Sequence, residues 1–399
     1  MYKARSWQQE KPYKFFSTKL QRLQNEYRTL FKFLCPVPSA TFYQMLFTFL
    51  ISLFFVPISV VLYALANSRL NAQFNQSSIT FKILYAVYNS FIGPYYHGYL
   101  LAFKADPGKR HTVKCREPDD YGHFIVWYVP YLNDNYAYFI VDKRSGQVAC
   151  VDGADPDFIR KEFEVLKMYT KESLITLVPL KLTCVLTTHY HQDHAGGNGK
   201  LCSMFGNLDI VSGVNETCLK QNIALNHLQY YKLGKTSIQI LNTPCHTKGH
   251  VGFYIESSVK SRGGAFFSGD AIFVGGCGKF FEGDGTVMYD TISNVLLKHI
   301  PKNTKLYCGH EYTVSNLKFA LKIEPKNLAI QEKLKWALEQ RSKSLPTVPS
   351  TFEDELKYNI FLRYDSEALL KTLNLKDRNV SKDIVLEKLR RYKDTGKLL

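Results

Sequence analysis

The chain has 399 residues, of which 45% are hydrophobic and 22% are charged. This composition is typical of a folded protein and excludes a chain that is disordered along most of its length. Lys and Arg outnumber Asp and Glu by 51 to 35, and residues 1–110 hold 13 of the basic side chains but only 3 of the acidic ones. The positive charge is therefore concentrated where it would flank a membrane segment, and the sequence predicts no nucleic-acid partner.

The N-terminal region contains a long apolar run. Residues 33–68 include no charged side chain, and residues 45–66 within them are apolar on every side of a helix. About 20 such residues cross a hydrocarbon core of roughly 30 Å as a helix, whereas a buried core helix usually keeps a polar face. We therefore expect a transmembrane helix at 45–66 and a membrane as partner. Residues 83–103 are uncharged but contain Gly93 and Pro94, so we expect an interfacial segment there, with a second crossing as the alternative.

Changes in composition divide the chain into five predicted segments. They are a basic N-terminal segment (1–44), the transmembrane helix (45–66), a linker with the interfacial segment (67–121), a catalytic domain (122–321) and a helical subdomain (322–399). The basic segment fits either a positive-inside flank or a targeting segment. Nine dispersed cysteines without paired spacing indicate reduced thiols. We therefore expect a single-pass protein of a mitochondrial or other intracellular membrane.

From residue 122 onward, short apolar runs alternate with turns and amphipathic patterns. The runs HFIVWYVPYL, YAYFIVD, QVACVDG and LKLTCVLTT indicate strands, because they are rich in β-branched and aromatic residues. DFIRKEFEVLKM has the periodicity of an amphipathic helix. Further strands are predicted in SIQILNTPCHTKGHVGFYI, GGAFFSGDAIF and NTKLYCGHEYT, and helices in NLAIQEKLKWALEQ and KDIVLEKLRRYKD. The sequence thus predicts an α+β domain followed by an all-α region.

Seven candidate metal ligands follow four of the predicted strands. They are His189, His191, Asp193, His194, His246, Asp270 and His310. The first four fall within the single motif TTHYHQDHAGGN, where crowded imidazoles and a carboxylate destabilise one another unless a cation or a hydrogen-bond network compensates. Nitrogen and oxygen ligands without a cysteine suit zinc first, with iron and manganese as alternatives.

Two adjacent divalent ions would use all seven ligands. One ion would bind His189, His191 and His246, the other would bind Asp193, His194 and His310, and Asp270 would be shared. A water that bridges two such ions loses a proton near neutral pH and becomes a nucleophilic hydroxide, while one ion polarises the carbonyl under attack. Asp193 and Asp270, together with this metal-bridging hydroxide, are the predicted catalytic groups. The chemistry indicated is hydrolysis.

The motifs around these ligands resemble one enzyme family. H-x-H-x-D-H is typical of the metallo-β-lactamase superfamily, and TPCHTKGH, FSGDAIFVGGCGKFFEG, CGHEYTVSNLKFA, EPKNLAI, VPST and LRRYKD follow in the order found in hydroxyacylglutathione hydrolase, or glyoxalase II. The resemblance covers about residues 124–394. It implies an αββα sandwich with a dinuclear site made of the seven ligands. It also implies hydrolysis of S-lactoylglutathione-like thioesters to a 2-hydroxy acid and glutathione, as in methylglyoxal detoxification.

The same resemblance implies which residues bind the substrate. Lys279, Tyr312, Arg390 and Lys393 match positions that hold the glutathione moiety in the family, and Lys or Arg binds carboxylates through charge-assisted hydrogen bonds. A solvated basic helix is the alternative for Arg390 and Lys393. Phe281 departs from the family pattern, which has a substrate-binding tyrosine there. The lost hydrogen bond, worth about 0.5–1.5 kcal/mol, is expected to weaken or redirect substrate binding.

Two residues and three other functions complete the predictions. His250 is expected to make a supporting hydrogen bond and not to bind metal. Asp134, in YLNDNYAY, resembles part of a family loop near the site, and a turn-forming role is favoured for it. The hydrophobic extension resembles the membrane-anchored branch of the family that includes the paroxysmal nonkinesigenic dyskinesia protein, for which the resemblance does not settle a substrate. An iron persulfide dioxygenase of the same superfamily is a second alternative, but that branch lacks the C-terminal helices. A regulatory membrane scaffold with a vestigial site is the non-enzymatic alternative.

Overall fold

The computed structural model of the chain describes residues 117–259, 261–375 and 380–398. The predicted basic segment, transmembrane helix and interfacial segment all precede residue 117 and lie outside the described residues. Within the described ranges, no helix is both long enough and apolar enough to cross a membrane. The described residues therefore correspond to the predicted catalytic and helical segments and to the last five residues of the predicted linker, 117–121.

Seven strands form the first sheet, in chain order across the sheet. They are β1 (Asp119–Asp120), β2 (Phe124–Tyr131), β3 (Asn135–Asp142), β4 (Gln147–Val151), β5 (Lys181–Leu186), β6 (Asp209–Gly213) and β7 (Ile223–Leu225). Strands β1 to β4 pair antiparallel, and β4 to β7 pair parallel. Every residue of β2 and β3 is buried. This burial explains why both sequences are apolar on two faces, and the four strands predicted here are confirmed.

The second sheet contains six of the remaining eight strands. These eight are β8 (Tyr230–Leu233), β9 (Thr236–Asn242), β10 (Val251–Ile255), β11 (Ala265–Gly269), β12 (Ile272–Phe273), β13 (Gly276–Cys277), β14 (Lys305–Cys308) and β15 (Ser350–Thr351). The sheet order is β15-β14-β11-β10-β9-β8, and β12 pairs with β13 in a separate hairpin. Strands β11 and β14 are parallel, whereas the other neighbours are antiparallel.

Ten α-helices lie in the described part of the chain. They are α1 (Pro156–Glu172), α2 (Gln192–Ala195), α3 (Asn198–Phe205), α4 (Gly285–Asp290), α5 (Leu297–His299), α6 (Thr313–Ile323), α7 (Leu328–Ser342), α8 (Phe352–Tyr358), α9 (Glu367–Thr372) and α10 (Lys382–Thr395), with a π-helical stretch at Thr291–Leu296. Helix α1 begins where the Asp155 carboxylate accepts a hydrogen bond from the Phe158 N–H. The three predicted helices are α1, α7 and α10, each confirmed.

Two hydrophobic cores separate the layers of the fold. Tyr138 and Ile140 of β3 face the core that the first sheet shares with the second sheet and with the C-terminal helices. The intervening Phe139 faces the other core, where Phe163 of α1 and Leu201 of α3 cover the first sheet. Successive side chains of a strand point to opposite faces, so β3 contributes to both cores. The predicted αββα sandwich is confirmed.

The C-terminal region is helical apart from β15. This strand pairs antiparallel with β14 and thereby joins the region to the second sheet. A strand of two residues is too short to show a periodic pattern, which is why only helices were predicted from the sequence in this region. Glu355 of α8 is fully buried and accepts hydrogen bonds from the Gly275 N–H and the Asn359 side chain, so α8 is also bound to the β12–β13 hairpin. The C-terminal helices therefore pack as part of the core that the two sheets share.

Glu216 is a buried carboxylate in the loop after β6. The Thr247 hydroxyl donates to its Oε2 at 2.7 Å, and the Thr217 N–H donates to its Oε1 at 3.1 Å. Burial raises the pKa of Glu216 to about 7, because little water remains to stabilise the charged form. In the folded state, Glu216 is therefore mainly the neutral acid below about pH 7.

We predict that Glu216→Gln removes a loss of stability that the wild type shows as the pH rises. The pKa of Glu216 is about 7 in the folded state and about 4.3 in the unfolded state. The contribution of Glu216 to stability is therefore complete below the unfolded-state pKa and is lost as the pH rises through the folded-state pKa. Between pH 5 and pH 8 the loss is on the order of 2 kcal/mol. Urea unfolding of both proteins at the two pH values measures it.

The exposed Glu339 provides the matched control, since Glu339→Gln changes the same functional group at a solvated position. Its stability should follow the pH profile of the wild type. Identical profiles for Glu216→Gln and the wild type would contradict the assignment of a neutral Glu216.

Candidate active site

Four strand ends meet at one edge of the sandwich. The loop after β5 carries the motif from His189 to His194, and the loop between β9 and β10 carries His246. Asp270 follows β11 and His310 follows β14, and the parallel pairing of these two strands places their ends side by side. The structure thus brings the seven predicted ligands together in one cluster, although the chain separates them by up to 121 positions, from 189 to 310.

Asp152 fixes the start of the first loop. Its carboxylate accepts hydrogen bonds from the backbone N–H of Thr188 at 2.9 Å and from the Thr188 hydroxyl at 2.8 Å. The same carboxylate lies 2.9 Å from Nδ1 of His194. Asp152 is 2% exposed, and these bonds replace the hydrogen bonds to water that its carboxylate loses on burial. Asp152 was not among the predicted site residues, although an Asp directly after a buried strand, in QVACVDG, was a usable signal.

Three histidines form the first ligand group. Nδ1 of His191 lies 2.9 Å from Nε2 of His189 and 3.1 Å from Nε2 of His246. Burial lowers the pKa of His189 and His191 well below the ordinary value, so both rings are neutral and their nitrogens can act as ligands. Nitrogens bound tetrahedrally to one zinc ion are separated by roughly 3.3 Å, close to the spacing observed.

The second ligand group consists of Asp193, His194 and His310. Nε2 of His194 lies 3.2 Å from Nε2 of His310 and 3.6 Å from Oδ2 of Asp193. The same Asp193 oxygen lies 3.5 Å from Nε2 of His310. The three ligand atoms therefore converge on one point, where the Asn135 side-chain N–H₂ also donates to Oδ2 of Asp193 at 3.2 Å. An ion placed among them would satisfy all three.

Asp270 lies between the two groups. Its Oδ2 is 3.3 Å from Nε2 of His246 and 3.4 Å from Nε2 of His310, and its Oδ1 is 3.5 Å from Nε2 of His194. Oδ1 is buried and has no hydrogen-bond partner among the described residues. A buried carboxylate oxygen without a partner is costly, and a bridging position between two cations would compensate it. The residues present therefore fit a pair of divalent metal ions.

Four ring nitrogens that point away from the cluster contact neighbouring oxygen atoms. These outer contacts join His189 Nδ1 to Thr188 Oγ1 at 3.0 Å, His194 Nδ1 to Asp152, His246 Nδ1 to the Lys279 carbonyl at 3.0 Å and His310 Nδ1 to Asp134 Oδ1 at 3.0 Å. Such contacts fix the tautomer and orientation of metal-binding histidines. Asp134 lies in the turn between β2 and β3, as expected, and its carboxylate also supports the site directly.

His250 lies outside both ligand groups. Its Nδ1 is 2.8 Å from the Thr243 hydroxyl, and its Nε2 accepts a hydrogen bond from the backbone N–H of Asp270 at 3.1 Å. The ring is fully buried. This is the supporting hydrogen bond expected from the sequence, and it holds the backbone of the residue that lies between the groups.

A pocket of about 460 Å³ opens over the cluster. It is lined by His191, Asp193, His246, Asp270 and His310 and by all five residues predicted to bind substrate, namely Lys279, Phe281, Tyr312, Arg390 and Lys393. The Phe281 ring lies against the rings of His191 and His246, with centroids 5.8 Å and 5.2 Å apart, and the Tyr312 ring stacks on His310 at 4.7 Å. Aromatic side chains thus shield the ligand cluster from bulk water.

Three cationic side chains converge on this pocket. Burial lowers the pKa of Lys279 to about 8 and that of Lys393 to about 7, because little water remains to stabilise the charged ammonium groups. The Arg390 guanidinium donates to the Cys277 carbonyl at 3.1 Å and to the Asp394 carboxylate. Arg390 therefore helps to attach α10 to the hairpin, and Lys393 donates a hydrogen bond to the Asn316 side chain.

Comparisons with known proteins identify the family. Residues 134–217 match the family model of the metallo-beta-lactamase superfamily, and residues 311–396 match the model for the hydroxyacylglutathione hydrolase C-terminus. The cytoplasmic hydroxyacylglutathione hydrolase of Arabidopsis thaliana is 42% identical over 252 residues, which cover 63% of this chain and 92% of that protein. The chain belongs to the hydroxyacylglutathione hydrolase family.

Other members of the hydroxyacylglutathione hydrolase family match a similar range. A hydroxyacylglutathione hydrolase-like protein of Gallus gallus is 40% identical, covering 67% of this chain and 88% of its own. The hydroxyacylglutathione hydrolase of Rippkaea orientalis is 34% identical, covering 67% and 98%. Among solved structures, ETHE1 from Myxococcus xanthus aligns with a TM-score of 0.42 and 21% identity, covering 66% and 94%. The predicted family is confirmed, and the match at 311–396 includes α10 with Arg390 and Lys393.

We expect Asp270→Asn to lower metal occupancy in both ligand groups, because its carboxylate is shared between them. His310→Ala should chiefly lower occupancy of the second group, since this ring belongs to that group alone. Elemental analysis of purified protein, saturated with zinc and then dialysed, gives metal per chain. His299→Ala, a histidine outside the cluster, is the matched control. Two metals per chain in Asp270→Asn would contradict the shared position.

Proposed function

We propose that the protein is a metal-dependent hydrolase of glutathione thioesters, releasing a 2-hydroxy acid and glutathione from S-lactoylglutathione-like substrates. The observation that carries the proposal is the position of Asp270 between two ligand groups, at the base of a pocket that also contains Lys279 and Lys393. Membership in the hydroxyacylglutathione hydrolase family supports the same reaction.

The proposed metal ligands are the two ligand groups and Asp270 between them. Their donor set is nitrogen and oxygen only, which favours zinc first and suits iron or manganese as alternatives. Two bound divalent ions would supply a polarised substrate carbonyl and a nucleophile from water at neutral pH. Asp193 and Asp270 contribute the negative charge at the centre, and Asp134 and Asp152 orient His310 and His194.

The protein's own side chains bind and orient the thioester. Glutathione carries two carboxylates, and the ammonium groups of Lys279 and Lys393 are the cations best placed to pair with them. Tyr312 and Phe281 lie beside the ligand histidines, where they exclude water from the thioester carbonyl. Because Phe281 has no hydroxyl, it contributes only apolar contact, and we propose that this shifts binding towards the charged ends of the substrate.

We predict that Lys393→Gln raises KM for S-lactoylglutathione by on the order of tenfold, because one charge-assisted hydrogen bond is worth about 1.5–3 kcal/mol. The kcat value should change little, since this contact lies away from the reacting carbonyl and is equal in ground and transition states. Steady-state kinetics at pH 6.5, below the lysine pKa of about 7, gives both constants.

Arg391→Gln is the matched control, because Arg391 lies on the same helix, is exposed and does not line the pocket. A thioester that lacks glutathione should be hydrolysed equally by all three proteins. An equal loss on both thioesters in Lys393→Gln would show that Lys393 supports folding and not substrate recognition. Absence of turnover by the metal-loaded wild type would contradict the proposed function itself.

We also propose that residues 45–66 anchor the chain in a mitochondrial or other intracellular membrane, as in the membrane-anchored branch of the family. The support is the uncharged run at 33–68 and the basic residues that precede it. These residues lie outside the described part of the chain, so the proposal rests on sequence.

The anchoring proposal predicts that the full chain stays in the membrane pellet after an alkaline carbonate wash. A chain starting at residue 111 should appear in the supernatant. Phe54→Lys/Val61→Lys should move the full chain to the supernatant as well, because each central charge costs about 3 kcal/mol of insertion free energy. Recovery of the unaltered full chain in the wash would contradict the anchor.

A further inference from the structure

The loop that carries His246 contains a strained backbone conformation. Cys245 has a φ angle of +141°, in a region that residues with a Cβ rarely adopt. Its N–H donates a hydrogen bond to the Thr247 carbonyl, two residues further along the chain, at 3.1 Å. The loop therefore turns tightly around His246. Conformations of this kind persist only where surrounding contacts hold them, and they are concentrated at functional sites. The contacts that hold this loop therefore decide where the His246 ring points.

Glu282 contacts both ends of this loop. Its Oε2 accepts a hydrogen bond from the Lys248 N–H at 2.8 Å, and its own N–H donates to the Cys245 carbonyl at 3.3 Å. The next residue, Gly283, lies so close that a Cβ there would be 2.7 Å from Cys245 Cα. A glycine is therefore required for the two backbones to approach. The Glu282 segment thus fixes the loop on either side of His246.

The other carboxylate oxygen of Glu282 reaches the first histidine loop. Oε1 accepts a hydrogen bond from the Tyr190 hydroxyl at 2.5 Å. Tyr190 lies between His189 and His191 in the chain, and its ring meets the His191 ring edge-on at 5.0 Å. A single carboxylate therefore joins the two loops that supply all three nitrogens of the first ligand group.

We propose that Glu282 is a positioning residue that sets the distance between His246 and the His189–His191 pair. It acts through Tyr190 and Lys248. Glu282 is not one of the described residues that line the pocket. Both bonds use oxygens of one planar carboxylate, so a displacement of either loop would weaken one of them. Residues that orient metal ligands in this way typically change metal affinity by 10- to 100-fold when replaced. The inference rests on the proposed metal assignment.

Cobalt(II) titration of the metal-free full chain tests the proposal, because visible absorbance reports both occupancy and coordination geometry. Glu282→Gln keeps one acceptor oxygen and places an amide N–H₂ against the other donor. We expect about tenfold weaker binding at the first ligand group and an altered spectrum there. Binding at the second group should be unchanged. Tyr190→Phe should show a smaller change, and the double variant should be less affected than the sum of the two singles.

A second readout requires no metal. The Lys248 N–H is bonded to Glu282, so amide hydrogen exchange of residues 245–251 in the metal-free chain should be faster in Glu282→Gln. Glu324→Gln is the matched control. Glu324 is buried and pairs with Arg363 in the helical region, so its loss lowers stability without touching either loop. Its cobalt spectrum and the exchange of residues 245–251 should match the wild type.

The outcomes separate this inference from the proposed function. If the wild type binds no cobalt, both are overturned. If the wild type binds two ions and Glu282→Gln keeps the same affinity, spectrum and exchange rate, the inference alone is overturned. An equal effect of Glu324→Gln on cobalt affinity would also overturn it, because the loss would then follow general stability. Weaker first-group binding with faster loop exchange in Glu282→Gln alone supports it.

Discussion

One buried carboxylate constrains the whole arrangement of the site. Asp270 lies no farther than 3.5 Å from ring nitrogens of His194, His246 and His310, and its Oδ1 has no hydrogen-bond partner in the described residues. Removing such a charge from water costs several kcal/mol unless opposite charge compensates it. Other elements at this edge of the sandwich hold Asp270 beside these histidines. The parallel β11–β14 pair places Asp270 and His310 side by side, and the His250 ring holds the Asp270 backbone.

The support for the cluster comes from oxygen atoms that contact the outer nitrogens of the histidine rings. The Asp134 carboxylate contacts the outer nitrogen of His310, and the Asp152 carboxylate contacts that of His194. The Lys279 carbonyl contacts the outer nitrogen of His246. Each ring is therefore held from behind by an oxygen on a different loop. A strained loop such as the one at Cys245 can be maintained because several such contacts act on it together.

Most of the strands, the main helices and the seven residues of the cluster could be predicted from sequence, because each lies in a local pattern or motif. β2 and β3 are recognisable from aromatic and β-branched runs, and HYHQDH concentrates four ligands in six residues. What the sequence could not supply depends on distant pairs. Asp152 meets Thr188 and His194 across the ends of β4 and β5, and Glu282 meets Tyr190 across two separate loops. Arg390 shows the same limit, since its bond to Cys277 O reveals a structural role that a basic motif on a helix cannot indicate.

The two-residue strand β15 has a consequence beyond its size. It pairs with β14 at one margin of the second sheet, where the sheet would otherwise present unpaired N–H and C=O groups to solvent. Proteolytic loss of the chain beyond residue 349 would uncover that margin and, with it, the apolar surface that the C-terminal helices share with the second sheet. The remaining fragment would not be a smaller, independent lactamase-like domain. It would carry an open β-edge beside a hydrophobic face, which is the combination that drives chains to self-associate.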